Sequence, residues 1–412
     1  MDTVYRCCAG VDVHLKTCEV CVRRVGPDGK AHSVTRQFRT TTRAILEMAD
    51  WFQDEGVEMV AMESTGVYWK PLWNLLEDRV DLMLCNARHV RNVPGRKTDK
   101  RDAQWLADLL QHGVLKPSFV PSRRQRFLRD LTRQRRVLAD EKTRVVNRIQ
   151  KVLEDANIKL SSVASDVMGA SGRDMIRAII AGERDPAVLA DMARQKLRRK
   201  LPELREALRG DVTEHHRFML RLHMRQIEFI EQKIAELQAR IDEAMAEEAP
   251  IIKRLEQVAG IRKVAAQAIL AEIGTDMSRF PTAAHLCSWA RLCPGTNESA
   301  GKRRRSGTGQ GNRWLRAIMA QAAWGAAHTK NSYYSAQFRR LAGRRGKKRA
   351  LVAVAHSLLV AIYHMLKNDA EYQDLGADYF DRRKPEQLTR SLVRRLEKLG
   401  HTVTLQPRPE AA

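Results

Sequence analysis

The chain has no run of about eighteen consecutive apolar residues, the length that a membrane-spanning helix needs. Its opening stretch, MDTVYRCCAGVDVHLKTCEV, lacks the basic segment, apolar run and small-residue cleavage site of a secretory leader. A soluble, non-secreted protein with no membrane partner is therefore the expectation. Cysteine is scarce and odd in number: seven residues at spacings that form no small disulfide framework. Free thiols in a reducing compartment fit that pattern. Cys18 and Cys21 have zinc-like spacing, but in a strand such positions point to opposite faces. No second Cys/His pair follows where a zinc site would need it. Acidic residues are also in the minority, with 49 against 73 Lys and Arg, a net charge of +24. A field of that sign attracts polyanions, and nucleic acid first among them. Charge gives the partner class and nothing finer.

What is present is enough chain for two or three domains, 412 residues with 43% hydrophobic content. Residues 5 to 13, 17 to 25 and 32 to 39 read as strands, with PDGK at 27 to 30 as a hairpin turn. A helix follows from Thr42, then an apolar strand ending at Glu63, a helix through YWKPLWNLLED and a strand over 80 to 86. A three-stranded meander followed by parallel additions is the order of a ribonuclease-H-like (junction-resolvase-like) α/β sheet. From 123 onward the pattern turns helical: Leu131, Leu138, Val145 and Val152 recur every seven residues. A second seam runs through Ile227, Ile230, Ile234, Leu237 and Ile241, so a coiled coil is expected, within or between chains. LEQVAGIRKVAAQAILAEIG (255 to 274) resembles a helix-hairpin-helix, whose backbone amides can hold a DNA phosphate. The expected division is 1–120 (α/β), 121–250 (helical, with an insertion at 161–213), 251–375 (mostly helical) and a charged tail, 376–412.

NVPGRKTDKRDAQWLADLL, residues 92 to 110, sets Asp99 and Asp102 one helical turn apart among Arg96, Lys97, Lys100 and Arg101. Acidic residues in a first turn complement the helix dipole, which is the ordinary reading. Two further carboxylates change the weighing. Asp12 lies inside an apolar strand, costly unless paired or metal-bound, and Glu63 ends another. In a ribonuclease-H-like sheet those two strands are adjacent, so four carboxylates converge. They would need cations to ionise together. Two Mg²⁺ ions about 4 Å apart would supply them, and the nearby cations would hold nucleic-acid phosphates.

The second constellation is CPGTNESAGKRRRSGTGQGNRWLR, where Lys302, Arg303, Arg304 and Arg305 stand among glycines before a helix opening at Asn312 and Arg313. Such a loop suits phosphate binding by amides and guanidinium groups. It is not a Walker A loop: five residues rather than four separate Gly295 from Gly301-Lys302. Ser299 in this loop could attack a phosphodiester and form a phosphoserine link, and Ser306 is its rival. A turn-forming serine is the ordinary alternative.

GVDVHLKT, MESTGVYWKPLWNLLE, VPGRKTDKRDAQWLADLLQHG and the serine loop together resemble the DEDD transposases of the insertion-sequence one-ten family. The resemblance covers about residues 5 to 155 and 250 to 365. It implies a junction-resolvase-like domain joined to a transposase domain, with the tetrad on Asp12, Glu63, Asp99 and Asp102 and the nucleophile on Ser299. It further implies a homo-oligomer, a tetramer by family pattern, recombining donor and target DNA at the nucleoid of a prokaryotic cytoplasm. The site would be composite between subunits, and a structured bridge RNA encoded by the element would pair with both DNAs. A metal-dependent junction-resolving endonuclease, with water as nucleophile and no covalent serine step, is the alternative.

Overall fold

The computed structural model describes residues 3–64, 66–86, 90, 102–293, 298–299, 302–303, 311–383 and 385–406. The chain divides into two compact units, Met1–Arg124 and Gln125–Ala412.

The first unit is mixed α/β. Strands β1 (Cys7–Val13), β2 (Thr17–Val25) and β3 (Ala31–Arg39) form an antiparallel meander. The β2–β3 turn closes with Gly29 at φ +71°, a conformation glycine adopts without a Cβ penalty. Helix α1 (Thr42–Asp54) leads to β4 (Met59–Glu63), and α2 (Trp69–Leu76) leads to β5 (Leu82–Cys85). β4 joins β1 in parallel and β5 joins β4 in parallel, giving the order β3-β2-β1-β4-β5. Helix α3 (Asp102–Gln111) completes the described unit.

The two-residue period of a strand decides what each face of β1 meets. Cys7, Ala9, Val11 and Val13 pack with Ile45, Met48 and Phe52 of α1 and Leu72 and Leu76 of α2. Burying a side chain such as Phe52 fully stabilises by about 1.5–3 kcal/mol. Cys8, Gly10 and Asp12 take the opposite face, where α3 lies. A Cβ on Gly10 would sit 2.3 Å from Ala103 O and 2.5 Å from Ala107 N, so the bare glycine lets the helix backbone rest on the strand. Arg23 Nη2 meets Asp108 Oδ1 at 2.9 Å and ties α3 to β2 as well.

Cys18 packs with the α1/α2 core and Cys21 with Ala103 and Ala107, on opposite sides of the sheet. All seven cysteines are free thiols, and Cys7, Cys8, Cys18, Cys21 and Cys85 are buried in this sheet. Burial pushes the Cys8 and Cys85 thiols up to about 12.

The second unit is mostly helical. Helix α4 (Arg123–Asp155) begins two residues before it, and α5 (Glu214–Ala244) is of similar length. Val145, Ile149 and Leu153 of α4 share one apolar cluster with Leu220, Ile227 and Ile230 of α5. The stretch expected as an insertion is helical over Ala170–Ala181, Pro186–Asp191 and Leu201–Ala207. Its Met175, Ile176, Ile179, Leu189 and Leu204 complete that same core.

Lys142 Nζ of α4 lies 2.7 Å from Glu231 Oε1 of α5, and Arg173 grips the same carboxylate with Nη1 at 2.8 Å from Oε2. The Arg173 hydrogen bond leads in holding the Glu231 carboxyl down at about 2, from an ordinary value of 4.5. The folded pKa lies below the unfolded one, so this stabilisation is present above about pH 4.5 and is lost as pH falls toward 2. Glu231 is about a third exposed, which screens the pair to roughly 1 kcal/mol. Urea denaturation of wild type and Glu231→Gln at pH 6 and pH 3 should show the difference between them shrinking with acid. A difference that does not change with pH would refute this assignment.

A second core gathers α6 (Lys263–Ile273), α7 (Arg313–His328), the helix Tyr333–Arg345 and α8 (Lys347–Asn368). The turn before α6 places Gly260 at φ +83°, where a Cβ would lie 2.1 Å from Ala322 O of α7. By length and composition alone α8 could cross a membrane. Ala350, Val354, Leu358, Leu359 and Ile362 form its buried face in this core. The helix Pro385–Lys398 buries no residue.

Candidate active site

β1 and β4 run in parallel with Val11 opposite Met62, so Asp12 and Glu63 come next at the carboxyl ends of adjacent strands. Ligands of such sheets bind beyond those ends. Glu63 follows Ala61, and Ala61 packs with Cys8, Cys85 and Leu106 on the α3 face. Asp12 follows Gly10 onto the same face, and Asp102 opens α3 there. The alternation of two strands and the seating of one helix thus bring three carboxylates into one electrostatic neighbourhood.

Asp12 reports that neighbourhood. Burial is the largest cause raising its carboxyl above the ordinary value, the charge of His14 opposes it, and Asp102, Glu63 and Glu19 raise it further. His14 Nε2 lies 3.3 Å from Asp12 Oδ2. The sequence reading passed over His14, although its place two residues after Asp12 puts it on the same face of the chain.

Asp99 lies outside the described residues, as do Arg96, Lys97, Lys100 and Arg101. Among the described residues, no group of three or more His, Cys, Asp or Glu side chains is disposed to hold one metal ion. The donor chemistry nonetheless fits a hard divalent cation, because carboxylate oxygens suit Mg²⁺ or Mn²⁺. Asp12, Glu63 and Asp102 are gathered there without forming a closed cage.

The serine loop supplies the other group of expected residues. Its described part is a short ladder, β6 (Glu298–Ser299) antiparallel to β7 (Lys302–Arg303), with Ser299 opposite Lys302. Arg304, Arg305 and Ser306 lie outside the described residues. Asn312 is structurally engaged: its Oδ1 accepts from Trp314 N and Leu315 N at 3.1 Å, capping α7. Its Nδ2 donates to Glu272 Oε2 at 2.6 Å. The Arg313 guanidinium stacks over the Trp314 ring at 4.8 Å.

Glu272 is a hub that the sequence reading missed. It is 1% exposed and accepts from Arg133 Nε at 2.7 Å and Nη2 at 2.8 Å. Arg129 Nε lies 3.4 Å away and also donates to Ala271 O at 3.1 Å. Burial dominates in bringing the Arg129 guanidinium down to about 10, with Glu272 opposing. The available signal was an acid inside the apolar run QAILAEIG, which requires a partner.

Comparison with known proteins bears on both groups. The DEDD transposase model of the IS110 type, described as Transposase, matches residues 9–158 and so includes Asp12, Glu63, Asp99 and Asp102. A second model, Transposase IS116/IS110/IS902 family, matches residues 252–340, which hold Glu272, the serine loop and α7. No curated protein matches the chain. DEDD transposase domains are in general dependent on a divalent metal. The two models together cover more than half of the 412 residues, and the chain belongs to the IS110 family of transposases, as a DNA transposase/recombinase enzyme.

Proposed function

We propose that this transposase cleaves and rejoins DNA through Ser299, with Asp12, Glu63, Asp99 and Asp102 holding two Mg²⁺ ions. The observation that carries the reading is the placement of Asp12 and Glu63 at the carboxyl ends of β1 and β4, with Asp102 opening α3 on the same face; burial first, and then the charges of Asp102 and Glu63, raise the Asp12 carboxyl. The β3-β2-β1-β4-β5 order supports a ribonuclease-H-like sheet around them. Bound Mg²⁺ would neutralise the carboxylates and the charge that develops on the phosphate.

Ser299 Oγ gives up its proton and bonds to phosphorus as the bridging P–O bond breaks and the departing oxygen takes a proton. A hydroxyl of the second DNA strand then attacks the phosphoserine, and Oγ leaves and is reprotonated. Lys302, Arg303, Arg304, Arg305 and Arg313 hold phosphate oxygens, as do Arg96, Lys97, Lys100 and Arg101 beside the tetrad. Asn312 contributes by fixing the loop's end. The helix-hairpin-helix reading of 255–274 and the coiled-coil reading of α4 and α5 belong to the same proposal. So do the four-part domain division, assembly as a homo-oligomer with a composite site, and guidance by a structured non-coding RNA.

Covalent trapping tests the chemistry. The protein, its element's flanking RNA and labelled donor and target DNA are incubated with Mg²⁺ and denatured. A DNA-linked protein band is expected, absent in Ser299→Ala and in Asp12→Ala. Cleavage without a linked band, unchanged in Ser299→Ala, would replace this reading with the metal-dependent junction endonuclease.

A further inference from the structure

The second unit holds a cavity of about 360 Å³ whose walls come from α4, the Gly260 turn with α6, and α7. Four arginines line it, Arg133, Arg135, Arg136 and Arg262, against one acid, Glu272. Trp314 and Ile318 add an apolar wall. None of these four arginines has been given a ligand by the reading above.

Their charges are not equally satisfied. Arg133 is paired with the buried Glu272. Arg136 reaches Asp140 Oδ1 at 3.1 Å and donates to Gln321 Oε1 at 3.0 Å. Arg135 is half-buried and has no carboxylate partner among the described residues. Burial, and then the like charge of Arg136, lowers its guanidinium below the ordinary value. Arg262 is exposed and likewise has no carboxylate partner among the described residues. It occupies the N-cap of α6, where no side chain caps the helix. The positive end of that helix therefore opens at the arginines. Uncompensated cations, one of them half-buried, describe a place that an anion would stabilise.

We propose that this cavity binds the phosphodiester backbone of one nucleic-acid strand. Arg135 and Arg262 would hold the phosphate, and Trp314 and Ile318 would flank the adjoining nucleoside. Guanidinium forks match phosphate oxygens in pairs. The volume lies at the low end of small-molecule cavities, about 300–1,000 Å³, which leaves room for about one nucleotide and excludes a duplex. The inference rests on the nucleic-acid substrate of the proposed function, but on neither the serine nor the tetrad. DNA and RNA offer the same backbone chemistry.

Fluorescence anisotropy of the full chain with a labelled single-stranded twelve-mer, once as DNA and once as RNA, tests it across a salt series. Arg135→Gln combined with Arg262→Gln should weaken binding about tenfold. It should also flatten the slope of log affinity against log salt by about one to two, the loss of one or two phosphate contacts. Arg344→Gln combined with Arg345→Gln, on the helix Tyr333–Arg345, serves as the equal-charge control and should change the slope less; Arg344→Gln alone is the control for a single variant. A loss with one strand type only assigns the cavity to that strand. Affinity and slope equal to the control's for both strands would overturn the proposal. If the double variant melts early, Arg262→Gln alone is read, since Arg262 is exposed. The trapping assay is independent: loss of the covalent band with the slope change intact would remove the serine reading and leave this one.

Discussion

Gly10→Val is expected to lower strand cleavage at least a hundredfold, although it touches no phosphate and removes no charge. The Cβ of any substituent falls 2.3 Å from Ala103 O, 2.5 Å from Ala107 N and 2.8 Å from Leu106 Cβ. Backbone atoms cannot rotate away as a side chain would, so α3 has to lift from β1. Overpacking of this kind costs about 1–3 kcal/mol. The functional loss is larger under the proposed reading, in which Asp102 on the helix that lifts is a metal ligand, because a displacement of about 1 Å at a reacting centre can cost about 100-fold. Val34→Thr on the exposed strand β3 controls for handling and should leave cleavage intact. Cleavage by Gly10→Val at the wild-type rate, with the variant folded, would show that Asp102 does not depend on this contact.

Glu272→Ala should be the most destabilising single change in the second unit. The carboxylate neutralises Arg133 and Arg129, the latter with only 11% of its side chain exposed, and holds the Asn312 cap of α7. Removing one member of a buried pair typically costs about 3–5 kcal/mol, because the remaining charge has lost its compensation. Loosening the cap adds about 1 kcal/mol. Adding Arg129→Leu should recover part of the loss, since the stranded cation is then absent. The urea midpoints of wild type, the single and the double variant decide the matter. A single variant within about 0.5 kcal/mol of wild type, the range of ordinary surface substitutions, would refute the hub.

The sequence reveals the first unit better than the second, for physical reasons. TCEVCVRRV and AHSVTRQFR are strands joined by a turn with a glycine at positive φ, so local preference and final pairing agree. Asp12 and Glu63 stood out because carboxylates among apolar strand residues are misfits that need a reason. Glu272 is the same kind of misfit, yet its partners lie about 140 residues away on α4. No pattern in its own helix could point to them. Asn312 read as a phosphate ligand because its neighbours are basic, whereas its amide is engaged with α7 and Glu272. The segment 161–213 lacks a long period because it is several short helices. Their apolar residues share one core with the seams supplied by α4 and α5.

The buried thiols of the sheet have a consequence of another kind. Cys8, Cys18, Cys21 and Cys85 have no accessible surface, and a thiol held near 12 is ionised in only about one molecule in 10⁵ at neutral pH. An alkylating reagent therefore meets almost no reactive sulfur in the first unit while the sheet is closed. Once the sheet opens, the same sulfurs return to ordinary acidity and react within the open interval. The rate at which these cysteines are tagged is thus a clock that ticks once per opening, set by the sheet that carries Asp12 and Glu63.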